Sequence, residues 1–313
     1  SPLPSLSRFF LFPAMRVAFA KLHGLGNDFV VVDFRAQHAA LRGVDSGWFD
    51  DVGVIRRVCD RHRGVGADGV LGIFPPTDVA CDAGAMARMR VRNADGSEAE
   101  MCGNGLRCVA RQIGRLGGPT QLRVETGAGI LSCDVAPDGQ RVQIEMGPAR
   151  PIDLGGAAAD GWTPARRAAQ VIESGDVGVP LFLVSMGNPH AVHFVDAPMA
   201  DDGLLYDMAR AIGPRAERHP MFPSRTNVEF VRRVDVDHWA VVVWERGCGI
   251  TQACGTGACA VAVAACLRGD ALPGRPLRID LPGGALSICV QPDYGQVLMR
   301  GPVEHVFDGE LTL

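Results

Sequence analysis

The sequence predicts an α+β protein made of two related halves. Short strand-like runs outnumber helix-compatible ones and do not alternate with them, which argues against a βαβ sheet. An internal repeat is also visible. Glu100-Met101-Cys102-Gly103-Asn104-Gly105-Leu106 resembles Gln252-Ala253-Cys254-Gly255-Thr256-Gly257-Ala258, roughly half the chain further on. At a similar separation, Leu25-Gly26-Asn27-Asp28 resembles Met186-Gly187-Asn188-Pro189. Each copy of each motif is followed by an apolar run of the same type, so two independent matches point to a duplicated unit.

The elements follow in order. Phe29–Phe34 (FVVVDF) reads as a buried strand. Trp48–Arg61 places Trp48, Val52, Ile55 and Cys59 at helical spacing. Met86–Val91 is a strand that enters the polar turn Asn93-Ala94-Asp95-Gly96-Ser97. Gly105–Gly114 reads as a helix with Leu106, Val109, Ala110 and Ile113 on one side. Leu122–Glu125, Ile130–Val135 and Val142–Met146 are strands separated by glycine and Pro-Asp-Gly turns. Gly147-Pro148-Ala149-Arg150-Pro151 is the best boundary between the halves. Beyond it, Leu181–Met186, Ala191–Val195, Val228–Val231 and Trp239–Trp244 are strand-like, Gly257–Arg268 is a small-residue helix, and the chain ends in short strands.

Composition excludes several functions. The 313 residues are 47% hydrophobic and 21% charged, as in a globular protein with a sizeable core. A net charge of −4 without a Lys/Arg block argues against a nucleic-acid partner. The apolar stretch Ala258–Leu267 is far shorter than the ~18 residues of a membrane span, so no membrane association is expected. Lys21 is the only lysine, which disfavours pyridoxal-phosphate chemistry with its Schiff-base lysine. The ten cysteines could serve disulfides, metal or catalysis. None forms Cys-x-x-Cys, their spacings match no common zinc pattern, and a chain this long needs no disulfide staples. Reduced thiols in a cytoplasmic protein are therefore expected. Residues 1–14 read as an extension before a start at Met15, since the run Phe9-Phe10-Leu11-Phe12 is too short for a signal peptide.

The repeated Cys-Gly-x-Gly turn carries the chemistry. Free N–H groups in the first turn of a helix favour negative charge. A cysteine placed there is expected to have its pKa lowered from about 8.5 toward neutrality. The glycines let a ligand approach the backbone N–H groups, and such a turn can hold a carboxylate. Two such turns facing each other put thiols on opposite sides of one carbon. That geometry suits removal of a proton from one face and delivery to the other, which is racemisation or epimerisation. Cys108, Cys259 and Cys266 fall within the helical runs and are expected to pack in the core.

With these motifs in place, the sequence resembles the diaminopimelate epimerase family from Met15 to the C-terminus. The resembling segments are Lys21–Phe29, Arg61–Gly69, Asn93–Glu98, Met101–Cys108, Gly187–His190, Arg225–Phe230, Trp244–Gly247 and Ala253–Gly257. The resemblance implies two pseudo-symmetric domains, each a barrel-like β-sheet around a central helix, with the site between them. Residues 15–148 together with 300–313 would form the N-terminal half, and 149–299 the C-terminal half, the last strand returning to the first domain. The implied reaction is cofactor-independent, metal-free interconversion of LL- and meso-2,6-diaminopimelate. The implied setting is lysine and cell-wall biosynthesis, in a homodimer.

Residue by residue, the resemblance assigns Cys102 and Cys254 as the catalytic pair. In the LL-to-meso direction, Cys254 accepts the proton and Cys102 donates one. Gly103, Asn104, Gly255 and Thr256 would hold the reacting carboxylate through backbone N–H groups. Asn27, Asn93, Asn188, Asn227, Glu245 and Arg246 would contact substrate, with the amides and Arg246 at its distal end. A zwitterionic far end requires amide oxygens for its ammonium and a guanidinium for its carboxylate. His190 and Glu245 would tune the thiols. Some family members carry Gln where this chain has Gly69, so a side-chain contact there is lost. Two readings compete: a proline or hydroxyproline racemase-like enzyme with the same cysteine logic, and a non-catalytic thiol redox or binding protein.

Overall fold

A computed structural model describes residues 15–35, 46–152, 171–174, 177–196 and 201–313. The extension 1–14 lies outside the described residues. Strands β1 (Arg16–Gly24), β2 (Asn27–Asp33), β3 (Gly69–Phe74), β4 (Ala87–Asn93), β5 (Glu98–Ala99), β6 (Gln121–Thr126), β7 (Gly129–Val135) and β8 (Arg141–Glu145) form the first half of the sheet. The second half holds β9 (Val171–Ser174), β10 (Val179–Ser185), β11 (Pro189–Phe194), β12 (Asn227–Asp235), β13 (His238–Glu245), β14 (Gly249–Ile250), β15 (Pro276–Leu281), β16 (Gly284–Val290) and β17 (Val297–Pro302). Strand β18 (Glu304–Thr312) returns to pair with β1.

The two halves repeat the same topology. In the first, β1 pairs antiparallel with β2, β2 parallel with β3, and β3 antiparallel with β4. β4 then runs parallel to β6, and β6, β7 and β8 are antiparallel. In the second, β10 to β13 and β15 to β17 reproduce every one of these orientations. The halves join through an antiparallel β8–β17 pair, so one mixed sheet runs through the molecule. This is the α+β, pseudo-symmetric architecture that the repeat predicts.

The helices complete the symmetry. They are α1 (Val52–Cys59), α2 (Asp78–Asp82), α3 (Gly103–Arg115), α4 (Asp202–Glu217) and α5 (Gly255–Arg268). Helices α3 and α5 occupy equivalent places and sit in the main core. Leu106, Val109, Ala110 and Ile113 of α3 share that core with Ala258, Val261, Ala262 and Ala265 of α5. A helix that is apolar all round must be enclosed, and the small side chains of α5 let the sheet approach closely. Helices α1 and α4 are the outer pair. Ile55 and Val58 of α1 pack with Phe49 and Val70, while Leu205, Ala209 and Ala216 of α4 pack on Phe230 and Val242.

Some boundaries differ from expectation. Trp48–Arg61 is two pieces, a 3₁₀ turn at Ser46–Asp50 and then α1, because the Asp51 side chain caps Gly53 and Val54 N–H and restarts the helix. Helices α3 and α5 each begin two residues earlier than the apolar pattern suggests. Helix α4 was not visible from sequence: Gly203, Gly213 and Pro214 weaken the local helical signal, and packing on β12 and β13 overrides it. No helix among the described residues is long and apolar enough to cross a membrane.

Candidate active site

The earlier start of the two central helices makes the cysteines their N-caps. Cys102 has extended backbone angles (φ −140°, ψ 112°), and its sulfur accepts from Gly105 N–H at 3.4 Å. Cys254 is equivalent (φ −115°, ψ 105°), and its sulfur accepts from Gly257 N–H at 3.4 Å. Both sulfurs therefore occupy the position where a helix presents unpaired N–H groups.

The first turns of α3 and α5 adjoin. Asn104 Nδ2 donates to the Ala253 carbonyl at 3.0 Å, linking one turn to the residue before the other cysteine. A Cβ built on Gly255 would lie 3.9 Å from Gly103 Cα. Met299 of β17 wedges between them: a Cβ at Gly103 would meet its Cε at 3.0 Å, and one at Gly255 its Sδ at 2.9 Å. A Cβ at Gly257 would lie 2.9 Å from Glu229 Oε1. The glycines of the motif thus also leave room for Met299 and Glu229 against the reactive turns.

The expected fall in thiol pKa is not what the structure gives. Burial raises the Cys102 thiol, helped by the Glu245 charge; Gly105 and Asn104 N–H groups and Arg107 pull it down without prevailing. Burial raises Cys254 well above the ordinary range, and Glu245 and Glu229 raise it further against Thr256 and the Gly257 N–H. The helix-terminal donors act in the expected direction, but removal of solvent is the larger effect. Glu245 is itself raised by burial, opposed chiefly by the Thr251 hydroxyl that donates to it.

A pH dependence follows. The base in proton abstraction is a thiolate, so a raised thiol pKa moves the acidic limb of the rate profile upward. The ratio kcat/KM is expected to keep rising beyond pH ~8.5, the usual thiol range. A steady-state profile that levels off near neutrality would contradict it.

The amide residues divide into two groups. Asn27 follows the two-residue turn Leu25-Gly26, both at positive φ (57° and 79°), as a tight antiparallel hairpin requires. Its Oδ1 lies 3.8 Å from Cys102 Sγ and accepts from Asn104 Nδ2 at 3.2 Å. Its Nδ2 donates to Asp68 Oδ2 at 2.9 Å. In the second half, Asn188 Nδ2 donates to Thr256 Oγ1 at 3.3 Å, and that hydroxyl lies 3.6 Å from Cys254 Sγ. Asn27 and Asn188 therefore sit against the reactive turns rather than apart from them.

The remaining residues lie further out. Asn227 spends its side chain on backbone groups, donating to the Pro189 carbonyl and accepting from Arg246 N–H (3.0 and 2.9 Å). Arg246 is exposed, donates to the Ser224 carbonyl at 3.0 Å, and forms no ion pair among the described residues. Asn93 is exposed and donates to Ser97 Oγ at 3.0 Å in its own turn. Gly69 lies opposite Asn93 in the β3–β4 pair, and a Cβ there would meet the Arg92 carbonyl at 2.5 Å. The backbone is closed around it, so no side chain is accommodated.

Behind these residues stand His190, which the resemblance had already assigned, and groups that sequence reasoning missed, Glu229 and the charges around Asp28. His190 is wholly buried, with Nδ1 2.7 Å from Glu229 Oε1 and Nε2 3.0 Å from Asn188 Oδ1. Glu229 is fully buried too. On the other side, Lys21 pairs with Asp28 at 2.5 Å, and Arg61 bridges Asp28 and Asp68 at 2.7 Å each. These cations hold Asp28 well below the usual carboxylate range although its burial opposes them. The only lysine is thus bound into the frame that fixes Asn27. The one available signal was the resemblance: Lys21, Asp28, Arg61, Asp68 and Glu229 lie inside the resembling segments.

The fold and site define a class of two-half proteins whose central helices each carry a cysteine at the N-cap. Solved structures share this fold. A hydroxyproline epimerase from Agrobacterium vitis aligns with TM-score 0.65 at 17% identity, covering 95% of this chain and 93% of its own. A PhzF-family protein from Bacillus anthracis aligns with TM-score 0.62 at 17% identity, covering 96% and 100%.

Sequence comparison narrows the class. The diaminopimelate epimerase family model matches residues 19–152 and 182–306. The diaminopimelate epimerase of Desulforudis audaxviator is 46% identical over 93% of this chain and 98% of its own. That of Azotobacter vinelandii is 42% identical over 96% and 100%. The chain belongs to the diaminopimelate epimerase family, and it is an isomerase of the epimerase type.

Proposed function

We propose that this chain interconverts LL- and meso-2,6-diaminopimelate without a cofactor, one thiolate removing the α-proton and the opposite thiol delivering its own, in the synthesis of lysine and peptidoglycan precursors. The observation that carries the reading is the pair of cysteine N-caps on adjoining helix ends. One thiolate takes the α-proton and becomes a thiol. The electron pair left on carbon spreads into the neighbouring carboxylate, whose growing charge faces the N–H groups of Gly103-Asn104 and Gly255-Thr256. The opposite thiol then gives its proton to the other face of the carbon and becomes a thiolate. Stabilising the intermediate charge is the largest catalytic contribution in such a site.

The other assignments follow from chemistry. Arg246 is exposed and without a carboxylate partner among the described residues, and it is our choice for the distal carboxylate. Asn93 and Asn227 complete that end. Asn27 and Asn188 orient the amino and carboxylate groups at the reacting carbon. Glu245 and His190 set the charge around Cys254.

The test is an assay of the purified protein in D2O under reducing conditions, with LL-diaminopimelate, proline and trans-4-hydroxyproline as separate substrates. Inversion of diaminopimelate is expected, with one deuterium entering at the inverted α-carbon. Turnover of proline or hydroxyproline but not diaminopimelate would assign the racemase-like alternative instead.

A further inference from the structure

Arg107 is the largest side chain fully shut off from solvent among the described residues. Among those residues it forms no ion pair. Its Nη2 donates to Asn104 Oδ1 at 2.7 Å, its Nε to the Pro302 carbonyl at 3.2 Å, and its Nη1 lies 3.9 Å from Met299 Sδ. The chain is cut away to admit it. A Cβ at Gly24 would come within 2.8 Å of Nη2, and one at Gly301 within 3.2 Å of Cζ.

A buried charge without a counter-charge is costly, and an apolar side chain of similar volume would fill the space more favourably. The symmetry-related position of α5 holds Cys259, so the fold itself does not require a cation there. The partners of Arg107 indicate what the charge does. By gripping Asn104 Oδ1 it aims Asn104 Nδ2 at the Ala253 carbonyl and at Asn27 Oδ1, which in turn faces Cys102 Sγ. One guanidinium thereby braces both reactive turns against each other.

We propose that Arg107 is a positioning residue for epimerisation, one that acts through Asn104 to fix the two cysteine-bearing turns and supplies the positive charge beside which the buried site holds a thiolate. The inference rests on the epimerase reading above. Burial pulls the Arg107 guanidinium down, and the ionisable groups that push it back up are Cys108, Cys102 and Cys259. Cys108 and Cys259 are both pushed up to about 12 by burial and remain thiols. Cys102 is the one with a reacting role, and there the opposing charge is Glu245.

The experiment compares the full-length wild type with R107M and R107K. It reads kcat and KM for diaminopimelate, thermal melting, and the pH dependence of iodoacetamide labelling of Cys102. R107M is expected to lose about a hundredfold in kcat, the cost of a small misplacement of reacting groups. Its Cys102 labelling midpoint is expected to rise by about one pH unit. R107K keeps the charge without the fork, so it is expected to restore the labelling midpoint but only part of kcat. Folded R107M with wild-type kcat and an unmoved midpoint would overturn the proposal. If R107M does not fold, R107K decides. A kcat loss of about tenfold or more at an unchanged labelling midpoint supports the proposal, and wild-type kcat overturns it. A wild type that fails to invert diaminopimelate sinks the epimerase reading itself. An active wild type with indifferent variants sinks only this one.

Discussion

Replacing Cys102 or Cys254 by alanine is expected to lower epimerase turnover by about a thousandfold or more, within the range for loss of a positioned acid or base. The fold should survive. Each sulfur accepts one weak bond from a first-turn N–H, at 3.4 Å in both cases, and losing a cap costs about 1 kcal/mol. Each variant keeps the opposite thiol on its own face of the substrate carbon. Inversion is therefore lost, while exchange of the α-proton with retention persists for the stereoisomer that presents its C–H bond to the surviving sulfur. Nuclear magnetic resonance in D2O separates the two events, because retained exchange deuterates the substrate without forming its epimer. Epimerase activity within tenfold of wild type in both variants would exclude the two-thiol mechanism.

How far the sequence discloses such a site depends on the range of the interaction. The Cys-Gly-x-Gly turns are local: N-cap, glycines and the following helix lie within a few residues, so both turns could be recognised from the sequence alone. The halves were legible for the same reason, since the duplicated turns mark equivalent points on equivalent helices. The thiol energetics were not. A helix N-terminus can be read locally, but the burial that outweighs it comes from the whole enclosing sheet and from Glu245 and Glu229 on other strands. Met299 and Arg107 were invisible for a similar reason. Met299 meets the reactive turns only after β17 has returned from the far end of the chain, and Arg107, which grips Asn104 within its own helix, is enclosed only when Gly301 and Pro302 of that strand close over it. That Asn27 and Asn188 sit against the reactive turns was not legible either, because hairpin geometry rather than composition decides which turn an amide faces.

The buried His190–Glu229 pair gives the second large effect. Glu229→Ala removes one member of a pair in which both side chains are wholly buried, at 2.7 Å. Breaking such a pair costs about 3–5 kcal/mol, because the partner is left desolvated without compensation. Urea unfolding should therefore shift markedly, and the effect should reach the chemistry as well. Both ring nitrogens of His190 are held by oxygens, Glu229 Oε1 at 2.7 Å and Asn188 Oδ1 at 3.0 Å. Asn188 is held by that ring on one side and by Thr256 on the other, and Thr256 adjoins Cys254. Once Glu229 is gone, neither the ring nor the amide has a fixed orientation, so kcat should fall with stability. Glu229→Gln separates the two contributions. It keeps an oxygen for Nδ1 but removes the charge that raises Cys254. Its stability should lie between wild type and alanine, and the acidic limb of its rate profile should move to lower pH. An E229Q profile superimposable on wild type would mean that Glu229 holds His190 in place without acting on the thiol.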